Sequence, residues 1–351
     1  MRQRKYVGRI VGGKDVYIGD SSPNRHLIIS GISGSGKSVR IADIEQHAIA
    51  EGNTIIVLDI NGTHERVNDD SCNYISAQKD GIGIKILDTS LVEKGVESPI
   101  NLIQYAVETL APRKMHGALQ LGALRKAVKF AIQHRADYKT EMSAILAGLE
   151  EQEETAALGA YNHLCPILEG GVFRESEKTI QQGKLNIISL QSLNPQTQKQ
   201  VAEIFLAALW RDKRTKGTMT GDKITLVLDE FQNLDFQKGS VLFELLTEGR
   251  KYGIEIIMAT QTLAIFSKKD MAIINQAAVK LFFQQSVTDL LQIAMMIEPR
   301  HKEKWIDKLA DLQIGEAIAV GKLEVAGKKI NQPIITHSHF KDSDLCIKNG
   351  K

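Results

Sequence analysis

The chain has 351 residues, 43% of them hydrophobic, and carries 44 Lys plus Arg against 42 Asp plus Glu, a formal net charge of +2. That apolar share supports a sizeable core in one large or two ordinary domains, while the near-neutral balance excludes an overall field suited to nucleic acid, a membrane surface or an acidic substrate. The basic start lacks a signal-peptide core and no window approaches the roughly 20 apolar residues of a membrane span, so the expectation is a cytoplasmic protein without membrane insertion.

Residues 1–24 read as a short N-terminal β segment. "HLIIS" (26–30) follows as a strand, then a helix in which Ile41, Ile44, Ala48 and Ile49 recur at helical spacing before a stop at Gly52. "TIIVLD" (54–59) is the second strand, and the polar stretch 66–81 reads as a loop. Residues 101–175 interrupt the alternation with leucine- and alanine-rich helical patterns, a helical insertion whose run "EEQEE" reads as a solvated helix face. "LNIISL" (185–190), "ITLVLD" (224–229) and "IEIIMATQ" (254–261) complete a set of five near-continuous apolar runs separated by helices. Strands of that kind are buried on both faces, so the fold class is α/β, a mainly parallel sheet covered by helices on both sides. Beyond them, "AVKLFFQQ", "EAIAV" and "INQPIITHSH" read as further strands with two helices between, and 331–351 as a C-terminal strand and frayed tail. Cys72, Cys165 and Cys346 are widely spaced thiols with no zinc framework, and His337 with His339 reads as two histidines on one strand face.

The strand-to-helix junction Gly31-Ile32-Ser33-Gly34-Ser35-Gly36-Lys37-Ser38 satisfies G-x-x-x-x-G-K-[ST]. Glycines there let backbone N–H groups converge on phosphates at a helix N-terminus, Lys37 reaches the β- and γ-phosphates, and Ser38 is a magnesium ligand. A second site is "ITLVLDEFQNL": Asp229, at a strand's C-terminal end, is the expected partner of the magnesium shell, and Glu230 beside it the carboxylate able to orient and deprotonate a water. Gln261, ending the fifth strand, is a neutral amide able to donate to a γ-phosphate while accepting from water. With no guanine-specificity motif and no kinase catalytic loop, ATP with Mg2+ is the expected substrate and cofactor pair.

Together, "RHLIISGISGSGKS", "VLDINGTHE", "ITLVLDEFQNL" and "EGRKYGIEIIMATQ" resemble the HerA/FtsK superfamily of ring-forming DNA-pumping ATPases, closest to its HerA-like branch. The resemblance covers residues 25 to about 325. It implies a RecA-like P-loop NTPase fold of the additional-strand, catalytic-glutamate kind, with a motor over 25–330. By the same resemblance Asp59 belongs to the nucleotide site, and Arg25 and Arg250 are candidates for sensing the γ-phosphate, one of them across a subunit interface. The second-strand motif of HerA-like proteins, Asp-x-His-Gly-Glu, keeps Asp59 and Gly62 here but has Asn61 and Thr63 in place of its His and Glu, so it assigns no role to His64 or Glu65.

The function this implies is an ATP-dependent translocase moving duplex DNA through a homo-hexameric ring, with a nuclease or other effector as candidate partner. Lys79 and Lys238 are the loop cations available for DNA phosphate. Two alternatives stand beside it: an ATP-gated scaffold for an effector enzyme, and a soluble conjugation or secretion ATPase.

Overall fold

The computed structural model describes residues 5–64, 70–95, 97–111, 117–174, 176, 178–217 and 223–338. Its strands, in chain order, are β1 (Tyr6–Arg9), β2 (Asp15–Ile18), β3 (Leu27–Ser30), β4 (Thr54–Asp59), β5 (Cys72–Ser76), β6 (Leu185–Ser189), β7 (Ile224–Leu228), β8 (Ile254–Thr260), β9 (Val279–Phe282), β10 (Ala317–Gly321), β11 (Leu323–Val325), β12 (Lys328–Ile330) and β13 (Ile334–Thr336). Nine of them form one sheet in the order β13-β10-β9-β3-β8-β7-β4-β6-β5, and the other four an antiparallel sheet, β1-β2-β11-β12. In the large sheet the pairings from β9 to β5 are parallel and only β10 runs against its neighbours.

The five apolar runs all form strands of this sheet, and β3, β4, β6 and β7 are buried at every position. Their side chains alternate between two cores. Ile28, Ile56, Leu58, Leu226 and Ile256 face a layer of helices, whereas Leu27, Ile29, Ile55, Val57 and Val227 face the helix Lys37–Ala50 and the small sheet. The result is a sheet covered on both sides, as near-continuous apolarity requires.

The helical insertion is present as Pro99–Leu110, Ala118–Gln133, Glu141–Glu150 and Thr155–Leu168, linking β5 to β6. Its starts are capped locally: Ser98 accepts from Asn101 N and Thr140 from Ser143 N. The helix Pro195–Lys216 that carries the insertion is capped by Asn194, which accepts from Thr197 N, and has proline at its first position.

Part of the segment expected to be a loop, 66–81, is instead the edge strand β5, paired in parallel with β6 from Cys72↔Leu185 to Ser76↔Ser189. A strand of cysteine, asparagine, tyrosine and serine around one isoleucine has little apolar signal, and the ladder supplied by β6 decides its conformation. Residues 66–69 of that segment lie outside the described residues, as do Glu65, His339, Cys346 and the tail. In the N-terminal segment β2 pairs with β11, far along the chain: Tyr17 is opposite Glu324 and Val16 opposite Val325. His337 makes an isolated antiparallel bridge to Arg9. Among the described residues no helix is long and apolar enough to cross a membrane.

Candidate nucleotide site

Gly31 to Ser38 form the turn between β3 and the helix Lys37–Ala50, at the C-terminal edge of the parallel strands. Two glycines there are dictated by geometry. A Cβ on Gly31 would lie 2.6 Å from Phe283 Cβ, and Gly36, with φ at 101°, has the Gly315 Cα 2.8 Å from where its Cβ would be. Gly315 also donates its N–H to the Ser35 carbonyl at 2.9 Å, so the loop before β10 buttresses the turn.

Ser33 and Gly34 are exposed at the turn's tip, Ser35 is buried with its hydroxyl donating to the Ile32 carbonyl at 2.7 Å, and Ser38 lies half-buried in the helix's first turn. Lys37 folds inward, its Nζ donating to the Gly31 and Ile32 carbonyls at 2.7 and 3.0 Å. Burial pushes its ammonium below the usual lysine range, against the opposing pull of Asp229 and Glu230.

Both carboxylates follow β7, two strands from β3. Asp229 is 8% exposed, and burial raises its carboxyl above the usual range, partly offset by the positive charge on His64 and by Lys37. It accepts from the Thr63 hydroxyl at 3.3 Å. Glu230 has φ 56° and ψ 45°, the left-handed region that a residue with a Cβ enters at a cost. That backbone turn aims the carboxylate sideways: Oε1 accepts from Gln261 Nε2 at 2.7 Å, and Oε2 accepts from Gln232 Nε2. Since β8 lies between β3 and β7, Gln261 ends the strand separating the phosphate turn from the carboxylates.

Asp59 ends β4 fully buried and accepts from the backbone N–H of Thr63 and His64 at 3.1 and 3.2 Å. His64, to which the motif assigned nothing, is a functional candidate that the sequence reading missed. Its ring sits between Glu45 of the phosphate-turn helix, 3.5 Å from Nε2, and Asp59, 3.6 Å from Nδ1. Burial alone would depress its pKa, but the two carboxylates outweigh burial and push it up to about 10. The only signal in the sequence is a histidine five residues beyond Asp59, displaced from the family's spacing.

Arg25 and Arg250 lie at the same edge of two adjacent strands, and neither is at the turn. They precede β3 and β8, at the opposite edge of the sheet from Gly31 and Gln261, with about 13 Å of strand between in the case of β3. Arg25 lies 3.8 Å from both Asp20 and Glu255, and Arg250 donates to the Pro23 carbonyl. His26 is buried and neutral, its pKa pushed down to about 3 by burial, and its Nδ1 accepts from Ile256 N at 3.1 Å. Lys79 follows β5 and Lys238 lies in the loop beyond Glu230; both are exposed.

The donor set fits a nucleotide with a divalent cation. Asp229 is a buried carboxylate whose charge is held down by desolvation, and Ser38 and Lys37 open the helix facing it across β8. Asp229 and Ser38 are the residues that would hold magnesium. No cluster of three or more His, Cys, Asp or Glu able to hold a metal by itself occurs among the described residues.

A family model described as "Helicase HerA, central domain" matches residues 5–209. The chain is 20% identical over 338 residues to the DNA double-strand break repair helicase HerA of Saccharolobus solfataricus, covering 90% of this chain and 66% of that relative. It thus spans just under two thirds of the relative's length. Among solved structures, a truncated, unbound form of the bacterial conjugative coupling protein TrwB superposes with a TM-score of 0.70 at 14% identity, over 100% of this chain and 93% of the other. The same coupling protein in complex with a non-hydrolysable ATP analogue gives 0.66 at 16% identity, over 94% and 88%. VirB4 of Thermoanaerobacter pseudethanolicus gives 0.68 at 17% identity, over 98% of each chain. These likenesses make the fold a RecA-like P-loop ATPase fold.

Proposed function

The chain belongs to the family of the HerA helicase central domain, and from that premise we propose that it is an ATPase motor of the HerA kind, hydrolysing ATP with Mg2+ at the interfaces of a homo-hexameric ring to move duplex DNA. The observation that carries the reading is the convergence, across three adjacent strands, of the phosphate turn after β3, Gln261 after β8 and the Asp229–Glu230 pair after β7.

In this reading the turn 31–38 receives the phosphates and Lys37 exchanges its own-loop carbonyls for them. Ser38 and Asp229 would hold magnesium, which would supply positive charge against the phosphates. Glu230, its carboxylate fixed by Gln261 and Gln232, orients the attacking water and takes its proton, while Gln261 reports on the terminal phosphate. Asp59 lines the same edge, steadied by His64. Arg25 and Arg250 lie at the far end of the strands, so a role in hydrolysis for either is supplied to a neighbouring subunit's site. DNA is the substrate proposed by family membership, with Lys79 and Lys238 as local phosphate contacts and a nuclease or other effector as partner.

The test is steady-state ATP hydrolysis by the purified protein and by Glu230→Gln, with and without linear duplex DNA. Stimulation by DNA in the wild type, with an inactive variant that still binds ATP, supports the motor. Hydrolysis that needs Glu230 yet ignores DNA overturns the DNA part and favours an ATP-gated scaffold.

A further inference from the structure

The turn after β4 ends beside Asp229, and we propose that Thr63 is a positioning residue for that carboxylate, its hydroxyl aimed by the buried set Asp59, His64 and Glu45. The assignment rests on the nucleotide-site reading above and adds to it the group that orients the oxygens that would hold magnesium.

β4 and β7 are adjacent and parallel, with Leu58 opposite Leu228, and Asp59 and Asp229 are the next residue of each. Asp59 is fully buried, and both its oxygens are engaged by the turn, Oδ1 by the Thr63 N–H and Oδ2 by the His64 N–H. Gln198 Nε2, on the helix Pro195–Lys216, holds the start of the same turn by donating to the Ile60 carbonyl at 3.3 Å. The turn is thereby closed with Thr63 at its exposed end. There the Thr63 hydroxyl lies 3.3 Å from Asp229 Oδ2 and 3.2 Å from His64 Nδ1.

A hydroxyl has one proton to give. His64 lies between two buried carboxylates, with Glu45 3.5 Å from Nε2 and Asp59 3.6 Å from Nδ1, and their charge keeps both ring nitrogens protonated. Nδ1 is then a donor, the Thr63 oxygen accepts from it, and the hydroxyl proton is left for Asp229. A neutral ring with a bare Nδ1 would compete for that proton. Asp229 Oδ1 accepts from the Glu230 N–H at 3.1 Å, so each carboxylate oxygen has a donor and the plane of the group is set. Each oxygen keeps a lone pair for a cation. Carboxylates that bind metal are held by such bonds, and losing one typically weakens metal binding about 10–100-fold.

The threonine matters because of what it replaces. The HerA-like motif has glutamate at this position, and an ionised glutamate only accepts and would add a negative charge beside Asp59 and Asp229. Threonine donates. Glu45 lies on the helix that opens at the phosphate turn, so the contacts from Glu45 through His64 and Thr63 to Asp229 join that helix to the strand that carries the carboxylate.

Binding of a non-hydrolysable ATP analogue, measured in magnesium and in EDTA, tests this on wild type, Thr63→Val, Thr63→Ser, His64→Asn and the double variant Thr63→Val with His64→Asn. Urea unfolding checks that each is folded. The expected wild type binds more tightly in magnesium. Thr63→Val should keep the wild-type affinity in EDTA and lose about tenfold or more of the gain from magnesium, and Thr63→Ser should retain that gain. His64→Asn should lose a similar share, and the double variant no more than Thr63→Val alone, since the histidine acts through the hydroxyl. The two Thr63 variants decide the role of the hydroxyl by themselves, should His64→Asn fail to fold. A Thr63→Val protein with the full gain overturns the proposal. So does one weakened equally in magnesium and EDTA, or one whose loss Thr63→Ser shares, since either makes Thr63 a support of the turn. Losses that add in the double variant overturn the part given to His64. A wild type whose affinity ignores magnesium overturns the nucleotide-site reading and this assignment with it.

Discussion

Gln261 Nε2 donates to Glu230 Oε1 over 2.7 Å, joining the C-terminal ends of two adjacent parallel strands. The bond holds one carboxylate oxygen in place while Glu230 pays for its left-handed backbone, so removing either partner has a distinct signature. Glu230→Gln should cut kcat by about 10²–10⁴ with ATP binding retained, and Gln261→Ala by about 100-fold. Glu230→Gly should also abolish turnover but raise stability by about 1 kcal/mol, because glycine adopts the left-handed turn without strain. Turnover assays alongside urea unfolding check all three, and a Glu230→Gly protein less stable than wild type would remove strain from the account.

His64 gives a pH prediction. Its folded pKa, about 10, lies above the ordinary 6.5, so the protonated ring favours the folded state. That contribution is fully present below about pH 6.5 and is lost as the pH rises through about 10. The wild type should therefore lose stability between pH 7 and 10, and His64→Asn should show a flatter profile over the same window. At neutral pH the variant leaves Asp59 and Glu45 buried beside a neutral amide and should cost about 3–5 kcal/mol. Equilibrium urea titrations at pH 7 and 9.5 decide the matter, and parallel losses in both proteins would assign the charge elsewhere.

The legible part of this fold was the part written in local patterns. Five apolar runs gave the central strands, and a G-x-x-x-x-G-K-S turn between a strand and a helix gave the phosphate grip without knowledge of anything distant. What escaped depends on partners far along the chain. β5 is a strand because β6 offers it a ladder, and the small sheet exists because β2 meets β11. His64 escaped for the same reason, since its partners Glu45 and Asp59 lie on another helix and another strand and no spacing rule links the three.

Arg40 shows how such distant contacts bear on the site. Fully buried on the helix after the phosphate turn, it donates from Nη1 to the Val7 carbonyl and Thr336 Oγ1, from Nε to Ser338 Oγ, and from Nη2 to the Gly315 carbonyl. It thereby fastens both terminal strands to the loop that buttresses Gly36. Arg40→Met should cost about 3 kcal/mol or more, since it leaves buried carbonyls without donors, and should weaken ATP binding by freeing Gly315. Arg40→Lys keeps the charge but loses the planar fork and should behave closer to Met than to wild type. Urea unfolding paired with ATP-analogue titration measures both effects; unchanged affinity in a destabilised Arg40→Met would separate the strap from the site.

Arg250 is the remaining test of how sites are shared between subunits. Its guanidinium is held at the Pro23 carbonyl, at the end of β8 opposite Gln261, out of reach of its own chain's phosphate turn. If it completes a neighbour's site, Arg250→Ala should lower kcat by about 10³ or more while ATP binding and folding are kept. Glu230→Gln disables a site but still offers its arginine to the neighbour. Mixed rings of the two inactive variants should then hydrolyse ATP well above the sum of their separate rates, since each Arg250→Ala subunit beside a Glu230→Gln subunit regains a complete site. A mixture as inactive as its components would make Arg250 a clasp on the Pro23 turn and move the search for the shared residue to Arg25, which lies at the same rim beside Asp20 and Glu255.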